Sequence, residues 1–214
     1  CSTAFIRARN CDPLSSFGDF IAISDIVDEG TAKLIKREIS DGIIAPGYTE
    51  EALNILKTKK NGGFIILVGK KEADYKNNQT IEFKEVNGCA VMQSVNKNVT
   101  GPKYFDECVT ENKDVDLTHK NDMILANITL KYTPSNSVAA AYDGQVIGIG
   151  AGQQNRVDCV KIVQNKVNNW YLRQHPSTVL HNKKIKEIGM RRQERINSVM
   201  NYITSDAEFM KERD

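Results

Sequence analysis

The chain has no long apolar segment, no paired cysteines and little net charge, and each absence excludes a class of protein. No apolar run approaches the ~20 residues that a membrane-spanning helix needs. The five cysteines are an odd number without a C-x-x-C pair, so we interpret them as reduced thiols of a cytosolic protein. A formal net charge of +2 over 214 residues favours neither a nucleic acid nor a membrane as the partner.

Several catalytic and nucleotide-binding signatures are also missing. No G-x-S-x-G motif is present, so a serine hydrolase has no support. No glycine run ends in G-K-[ST], which a phosphate-binding loop requires. The run GIGAG is not a dinucleotide fingerprint, because Gln153 stands where the third glycine of G-x-G-x-x-G belongs. Cys1 rather than methionine stands first and no signal region follows, so we interpret the chain as an internal part of a longer protein.

The most informative segment is a predicted hairpin that leads through a glycine-rich turn into a helix. Its strands are predicted at 138–142 and 145–149, joined by Asp143-Gly144, a strong signal for a two-residue turn. Alternate glycines then let a ligand or another backbone approach closely, and Arg156 follows where a helix start favours an anion. Either a site for a flat anionic ligand or a tight structural turn explains the pattern. The glycines are Gly148, Gly150 and Gly152.

Closely spaced helices and strands in the first seventy residues predict an α/β layered fold. The predicted order is a helix at 31–39, a strand at 43–45, a helix from the Thr49 cap to about Lys60, and a fully apolar, buried strand at 64–68. Asn61-Gly62 provides a left-handed stop for the second helix.

A polar stretch without periodicity, 70–80, is the predicted boundary between two units. The second unit begins near Ile81, with strands near 88–95 and a helix at about 121–131 before the hairpin. Helical spacing of apolar residues predicts a core-facing stripe on the helix that Arg156 opens, and a last amphipathic helix. The stripe is Val157, Val160, Val163, Val167 and Trp170, and the last helix is marked by Ile196, Val199, Met200 and Ile203.

Four blocks resemble the bifunctional purine-biosynthesis family that joins aminoimidazole carboxamide ribonucleotide (AICAR) transformylase to inosine monophosphate (IMP) cyclohydrolase. They are SSFGDFIAISD at 15–25, the REISDGIIAPGYTEEALNILKTKKNGG block at 37–63, KYTPSNSVAAAYDGQVIGIGAGQQNR at 131–156, and NNWYLRQHP at 168–176. Their order and spacings are similar to those of the transformylase region. The resemblance covers nearly the whole chain and is weaker at 71–115 and after His181.

The resemblance implies three-layer α/β/α, cytidine-deaminase-like units. It implies a partial first transformylase subdomain, 1–76 plus about 175–214, and a partial second subdomain, 77–174, with the IMP cyclohydrolase domain absent from this chain. Zinc chemistry of the deaminase type is not expected, because the motifs H-x-E and P-C-x-x-C are both missing.

The resemblance implies transfer of a formyl group from 10-formyl-tetrahydrofolate, a co-substrate, to the 5-amino group of AICAR, giving FAICAR. The parent enzyme would also cyclise FAICAR to IMP. Such a transfer needs a general base and stabilisation of an oxyanion. The family assigns these roles to a Lys-His pair expected upstream of Cys1, so we expect no catalytic residue in this chain and no activity from it alone. A cytosolic homodimer is implied, without metal chemistry.

Three implied nucleotide contacts lie in the first half of the chain. Gly18 would let its backbone approach the nucleotide, although an ordinary turn also explains it. Asp41 would accept hydrogen bonds from sugar hydroxyls, and a turn residue before Gly42 is the alternative. Lys60 would meet the phosphate, whereas a solvated run of lysines explains the same residues.

Three further implied contacts flank the glycine-rich turn. The amide of Asn136 both donates and accepts hydrogen bonds, which suits a carboxamide partner. The planar fork of Arg156 suits an anionic group of the nucleotide. Val157 would line the folate side. The alternative to an enzyme is a non-catalytic nucleotide-binding or interaction fragment that retains the fold, which the missing catalytic pair favours.

Overall fold

Three sheets organise the part of the chain that the computed structural model describes, residues 1–69, 81–98 and 100–205. One sheet is parallel, in the order β1–β2–β3, and the others are the antiparallel hairpins β4–β5 and β6–β7. The combination of helices with these sheets confirms the predicted α/β fold class. The strands are β1 (Asp19–Ala22), β2 (Ser40–Ala45), β3 (Ile65–Val68), β4 (Ile81–Val86), β5 (Cys89–Ser94), β6 (Val138–Tyr142) and β7 (Gln145–Gly150).

Helices pack against the parallel sheet and against the β6–β7 hairpin, and two of them, at 2–9 and 176–187, are not predicted by the apolar pattern. Two short 3₁₀ turns, Lys59–Gly62 and Pro102–Phe105, add to them. The predicted domain boundary at 70–80 lies outside the described residues. The helices are α1 (Ser2–Arg9), α2 (Glu29–Lys36), α3 (Glu50–Lys57), α4 (Leu117–Lys131), α5 (Arg156–Leu172), α6 (Pro176–Glu187) and α7 (Arg192–Ser205).

The main core lies between the parallel sheet and the helices α2 and α3. Ile43 is central in β2 and is paired in register with Ile21 and Ile66 of the neighbouring strands. Ile43, Ile35 of α2 and Leu56 of α3 are fully buried. Complete burial of such side chains contributes about 1.5–3 kcal/mol each, so this layer holds the sheet on which the first candidate residues lie.

Side-chain caps set where the helices begin. The Thr49 hydroxyl accepts a hydrogen bond from the Ala52 N–H at 3.2 Å, which confirms the predicted cap of α3. Asp28 and Asp116 cap α2 and α4 in the same way. Because an N-cap carboxylate stabilises the first turn, these helices begin at Glu29 and Leu117, earlier than the predicted 31 and 121.

The left-handed stop after α3 is confirmed at Asn61 and Gly62, whose φ angles are 53° and 88°. The α-helix nevertheless ends at Lys57 rather than near Lys60, and a 3₁₀ turn occupies Lys59–Gly62. The predicted burial of the next strand is wrong for β3, because most of its residues are exposed. It is an edge strand of the parallel sheet, and Ile66 is the residue that packs against the core.

The β6–β7 hairpin forms as predicted. Asp143 and Gly144 have φ angles of 49° and 69°, the left-handed values that a two-residue turn of this kind requires. The carboxylate of Asp122 in α4 accepts hydrogen bonds from both turn N–H groups, at 2.9 and 2.7 Å. Asp122 is 8% exposed, so this turn is anchored from inside the fold.

The predicted core-facing stripe on α5 is wrong at its first two positions. Val157 is 63% exposed and Val160 is 52% exposed, whereas Cys159 and Val163 are buried. The helix is rotated about its axis relative to the predicted orientation, because its backbone near Cys159 lies directly against β7. The face that packs on the sheet therefore contains Cys159 and Val163. The residues nearest the glycine-rich turn therefore face outward.

A short ion pair connects the two halves of the described structure. Lys166 in α5 lies 2.6 Å from Asp12, in the loop that follows α1. Burial by itself would raise the pKa of Asp12, but the hydrogen bond and charge of Lys166 outweigh it, so this pKa lies below its usual value. A folded-state pKa below the unfolded one means that the pair stabilises the fold at neutral pH and loses this effect in acid.

We expect Asp12→Asn to lower the free energy of unfolding by about 1 kcal/mol at neutral pH, since both side chains are partly exposed. The difference from the wild type should narrow as the pH falls from about 4, the ordinary pKa of an aspartate in the unfolded chain, through the lower pKa of Asp12 in the folded protein. Urea unfolding at several pH values measures this. A difference in unfolding free energy that stays constant down to acid pH would contradict the link between this ion pair and the pH dependence of stability. Asp106→Asn, at an exposed carboxylate, serves as the control.

Candidate functional site

The six implied binding positions fall into two groups in the structure. One group lies where the parallel sheet begins, and the other lies around the turn between β7 and α5. In the described part of the chain, no hydrogen bond or ion pair joins one group to the other. The first group, called the sheet-edge cluster, is Gly18, Asp41 and Lys60, and the second, called the turn cluster, is Asn136, Arg156 and Val157.

The sheet-edge cluster brings its three residues together. Gly18 precedes β1, and its N–H donates to the Ile39 carbonyl oxygen at 2.9 Å. A β-carbon on Gly18 would lie 3.9 Å from Asp41 Oδ2, an ordinary contact distance. The Lys60 ammonium forms an ion pair with the Asp41 carboxylate. A carboxylate, an ammonium and an exposed glycine backbone therefore share one small surface, which suits a ligand with hydroxyl and anionic groups.

The local backbone explains two of these residues without a ligand. Gly18 has a φ of +70°, a left-handed value that by itself favours glycine. Asp41 is the second residue of β2, so its interpretation as a turn residue is wrong. It lies at the start of the strand, where the opposing ammonium of Lys60 can reach it.

The position of the sheet-edge cluster is unusual for a parallel sheet. Ligands of open α/β sheets bind most often outside the carboxyl ends of the strands. Gly18, Asp41 and Lys60 lie instead at the amino ends of β1, β2 and β3. The general topology rule therefore does not predict this cluster, and only the family resemblance indicates it.

The lysines after α3 have different roles. Lys59 is 6% exposed, its ammonium donates to the Glu38 carbonyl oxygen, and it lies 5.1 Å from the centre of the Phe64 ring. Burial, followed by the charges of Lys60 and Arg9, lowers the pKa of Lys59. The interpretation of this run as a solvated face is therefore wrong for Lys59, which is structural, while the Lys60 side chain extends to the sheet-edge cluster.

A nearly buried arginine that the sequence patterns do not indicate supports the sheet-edge cluster. The Arg9 guanidinium lies 2.7 Å from Asp19 Oδ1 and 3.2 Å from Glu38 Oε2. It also donates to the Ser16 carbonyl oxygen. Arg9 thereby joins α1, the loop that contains Gly18 and the start of β2. Its place in the sequence, at the end of a short helix with little periodicity, carries no signal for this role.

In the turn cluster, Asn136 connects two loops. Its side-chain amide donates to the carbonyl oxygens of Gln153 and Gln154 at 3.1 and 3.2 Å. Its backbone carbonyl accepts from the Cys159 thiol at 3.1 Å. The protein itself therefore uses the amide donors, and among the described residues the side-chain oxygen of Asn136 is the group left to accept from a ligand.

The glycine-rich turn is shaped largely by helix packing. A β-carbon on Gly150 would lie 2.3 Å from the Cys159 carbonyl oxygen, and one on Gly148 would lie 3.1 Å from Val167 Cγ2. Gly152 has no neighbour within 4 Å and a φ of +67°. Of the two alternatives, a ligand or another backbone, the α5 backbone therefore occupies the space beside Gly148 and Gly150, and Gly152 provides the left-handed turn.

Arg156 is the first residue of α5 and is exposed. Within the described ranges its guanidinium has no hydrogen bond or ion pair. Asn155 caps the helix by accepting from the Asp158 N–H at 2.9 Å, and its side-chain amide is the main cause of the lowered pKa of Asp158. Because Asp158 brings a negative charge to this helix start, attraction for an anion depends mainly on Arg156. Val157 beside it presents an apolar surface.

None of the helices in the described part combines the length and the apolar character needed to cross a membrane. In that part, no group of three or more His, Cys, Asp or Glu side chains is arranged to hold a metal ion.

Sequence comparison links both clusters to one family. The model of the AICARFT/IMPCHase bienzyme family matches residues 1–166, a range that contains every candidate residue of both clusters. The chain belongs to the AICARFT/IMPCHase bienzyme family. This match confirms the resemblance to the family over the first three sequence blocks, and the fourth, at 168–176, lies outside the matched range.

Curated members of the AICARFT/IMPCHase family show the extent of the similarity. The bifunctional purine biosynthesis protein PurH of Aquifex aeolicus (strain VF5) is 34% identical over 167 residues, which is 78% of this chain and 31% of that protein. PurH of Prochlorococcus marinus (strain MIT 9215) is 36% identical over 168 residues, 75% of this chain and 30% of that protein. The chain thus spans about 30% of the length of these relatives.

Proposed function

We propose that the chain forms part of an AICAR transformylase and provides nucleotide- and folate-binding surfaces. The parent enzyme would transfer the formyl group of 10-formyl-tetrahydrofolate to the 5-amino group of AICAR and would cyclise the product to IMP. The observation that carries the proposal is the family match over both clusters. The name of these relatives, a bifunctional purine biosynthesis protein, supports the same pathway.

The described residues supply the groups that this role needs. In the proposal, Asp41 accepts from sugar hydroxyls while Lys60 neutralises anionic charge beside it. Asn136 offers its side-chain oxygen to the carboxamide of AICAR, and Arg156 offers an unpaired guanidinium to an anionic group. Val157, exposed next to Arg156, would contact the folate. Holding two substrates in the correct orientation is itself a large catalytic contribution.

The histidines of this chain have other partners, which favours a binding role without catalysis for the chain alone. His119 lies 2.9 Å from Asp116, the cap of α4. His175 accepts from the Ser177 N–H and begins α6. His181 is stacked on Tyr202. We therefore propose that the base comes from the upstream Lys-His pair, and that the second candidate function, a non-catalytic nucleotide-binding fragment, describes this chain in isolation.

The same proposal includes the larger assembly. The two clusters are not joined within the described part of the chain, which agrees with an active site completed across a homodimer interface. Arg192 of α7 forms an ion pair with Glu38, next to β2. This contact supports the assignment of about 175–214 to the first subdomain with 1–76, and of 77–174 to the second. A cytosolic location completes the proposal.

Arg156→Ala in the parent enzyme tests the proposal. We expect AICAR affinity to fall by about ten- to a hundredfold, because a charge-assisted hydrogen bond to a bound anion contributes about 1.5–3 kcal/mol. Arg156→Lys should recover part of the loss, since an ammonium does not reproduce the planar fork. Calorimetric titration of AICAR measures the affinities.

The matched control is Lys161→Ala, five residues further along α5, where an exposed ion pair with Asp158 should contribute little to stability and nothing to affinity. A folded Arg156→Ala protein with unchanged AICAR affinity would remove Arg156 from the site. If the unsubstituted parent protein binds AICAR but does not transfer the formyl group, the result would instead favour the non-catalytic alternative.

A further inference from the structure

A cavity of about 600 Å³ lies between α1, α5, α6 and α7. Its lining shares no residue with the sheet-edge cluster or the turn cluster. The volume is within the range of pockets that hold small organic ligands, roughly 300–1,000 Å³. Neither the family match nor the relatives' names assign a ligand to it.

The lining combines cationic and apolar side chains. Four arginines contribute to it, and no aspartate or glutamate does among the described residues. The ring of Trp170 and the side chains of Val199 and Met200 form the apolar part. The arginines are Arg7, Arg173, Arg192 and Arg195.

Three of the arginines already have partners within the protein. Arg7 pairs with Asp143, at a distance of 3.2 Å. Arg173 donates to the Asn10 carbonyl oxygen at 2.7 Å, and Arg192 pairs with Glu38. These contacts hold the guanidinium groups at the wall. Asp143 balances the charge of Arg7, whereas Glu38 is shared by Arg192 and Arg9, and the carbonyl that Arg173 contacts carries no charge.

Arg195 is the exception, and it marks the cavity as a place for an anion. Its Nε is buried and has no hydrogen-bond partner in the described part of the chain. A buried donor without an acceptor is destabilising, and more so when the group is charged. Burial also lowers the pKa of Arg173, so the Arg173 guanidinium is poorly solvated. A bound anion would supply the missing acceptor.

We propose that this cavity binds a small organic anion that combines one phosphate or carboxylate group with an aromatic ring. The anionic group would accept from Arg195 and lie near Arg173. The ring would lie against the apolar lining residues Trp170, Val199 and Met200. An inorganic anion would pair with the arginines but leave these apolar side chains in contact with water. A neutral aromatic molecule would leave the Arg195 donor unpaired.

Trp170 makes the test site-specific, because it is the only tryptophan of the 214 residues. Tryptophan fluorescence of the chain is followed during titration with phenyl phosphate, inorganic phosphate and phenol. We expect a saturable change with phenyl phosphate, at least about tenfold tighter than with either of the other two. Equal affinity for phenyl phosphate and inorganic phosphate would overturn the aromatic part of the proposal, and no saturable change would overturn it entirely.

Two substitutions locate the site. Arg195→Gln should weaken phenyl phosphate binding by about tenfold or more, whereas Arg191→Gln, at an exposed arginine outside the lining, should leave it unchanged. Val199→Phe should fill the space that the aromatic ring of the ligand would occupy. It should therefore remove the preference for phenyl phosphate over inorganic phosphate. Circular dichroism and urea unfolding confirm that each variant is folded. Equal losses in Arg195→Gln and Arg191→Gln would show non-specific attraction and overturn the proposal.

Discussion

Replacing Gly150 with alanine is expected to lower the free energy of unfolding by about 3 kcal/mol or more, the upper end of what overpacking costs. The added β-carbon would lie 2.3 Å from the Cys159 carbonyl oxygen and 3.1 Å from the Cys159 Cα. These are backbone atoms of α5, so no side chain can rotate away. The helix itself must move, and Arg156 at its first residue moves with it.

Urea unfolding of matched glycine variants measures the effect. Gly148→Ala should cost less, because its β-carbon would lie no closer than 3.1 Å to Val167 Cγ2 and 3.2 Å to the Val163 carbonyl oxygen. Gly101→Ala is the control, since nothing lies within 4 Å and its φ of −135° suits alanine. Unfolding of Gly150→Ala at the wild-type urea concentration would show that α5 does not rest on β7 as described.

The features that could be predicted from the sequence depend on chemistry between near neighbours. The Thr49 cap, the Asn61-Gly62 stop and the Asp143-Gly144 turn each involve residues within a few positions of one another. Local hydrogen bonds and allowed φ values decide such features, so the residue types indicate them directly. Their agreement with the structure shows that local preference and fold are consistent here.

The features that could not be predicted depend on contacts between distant segments. Gly150 faces the backbone of Cys159, which turns Val157 and Val160 outward and moves the buried side of α5. The exposure of β3 follows from its place at the edge of the parallel sheet. The spacing of apolar residues indicates a helix or a strand, but it does not say which other element will pack on which face. These outcomes therefore become visible only in the tertiary structure.

The same distinction between local and distant contacts applies to the candidate site. Family resemblance indicated Asn136 and Arg156, but their atoms differ in availability in a way that the resemblance does not show. The Asn136 amide donors are used by Gln153 and Gln154, while the Arg156 guanidinium has no partner in the described ranges. Arg9, which no pattern indicated, connects the segments that hold Gly18 and Asp41.

Arg9→Met is expected to lower the free energy of unfolding by about 3–5 kcal/mol, the cost of removing one partner from a buried ion pair. The Arg9 side chain is 10% exposed and that of Glu38 is 8% exposed. Methionine keeps much of the volume, so the loss reports charge and hydrogen bonds. Asp19 would lose a contact at 2.7 Å, and Glu38 would keep Arg192 as its remaining partner.

Two further variants separate the fold from the site. Arg7→Met, two residues earlier on α1, removes an ion pair whose side chains are 42% and 70% exposed, and it should cost less than about 1 kcal/mol. Arg9→Lys retains the charge without the bidentate geometry, so it should be intermediate in stability. If Arg9 positions Gly18 and Asp41, a folded Arg9→Lys parent enzyme will also bind AICAR more weakly while Arg7→Met does not. Equal AICAR affinity in both variants would show that Arg9 contributes only to the stability of the fold. A purely structural ion pair changes the unfolding equilibrium without changing a contact to the nucleotide.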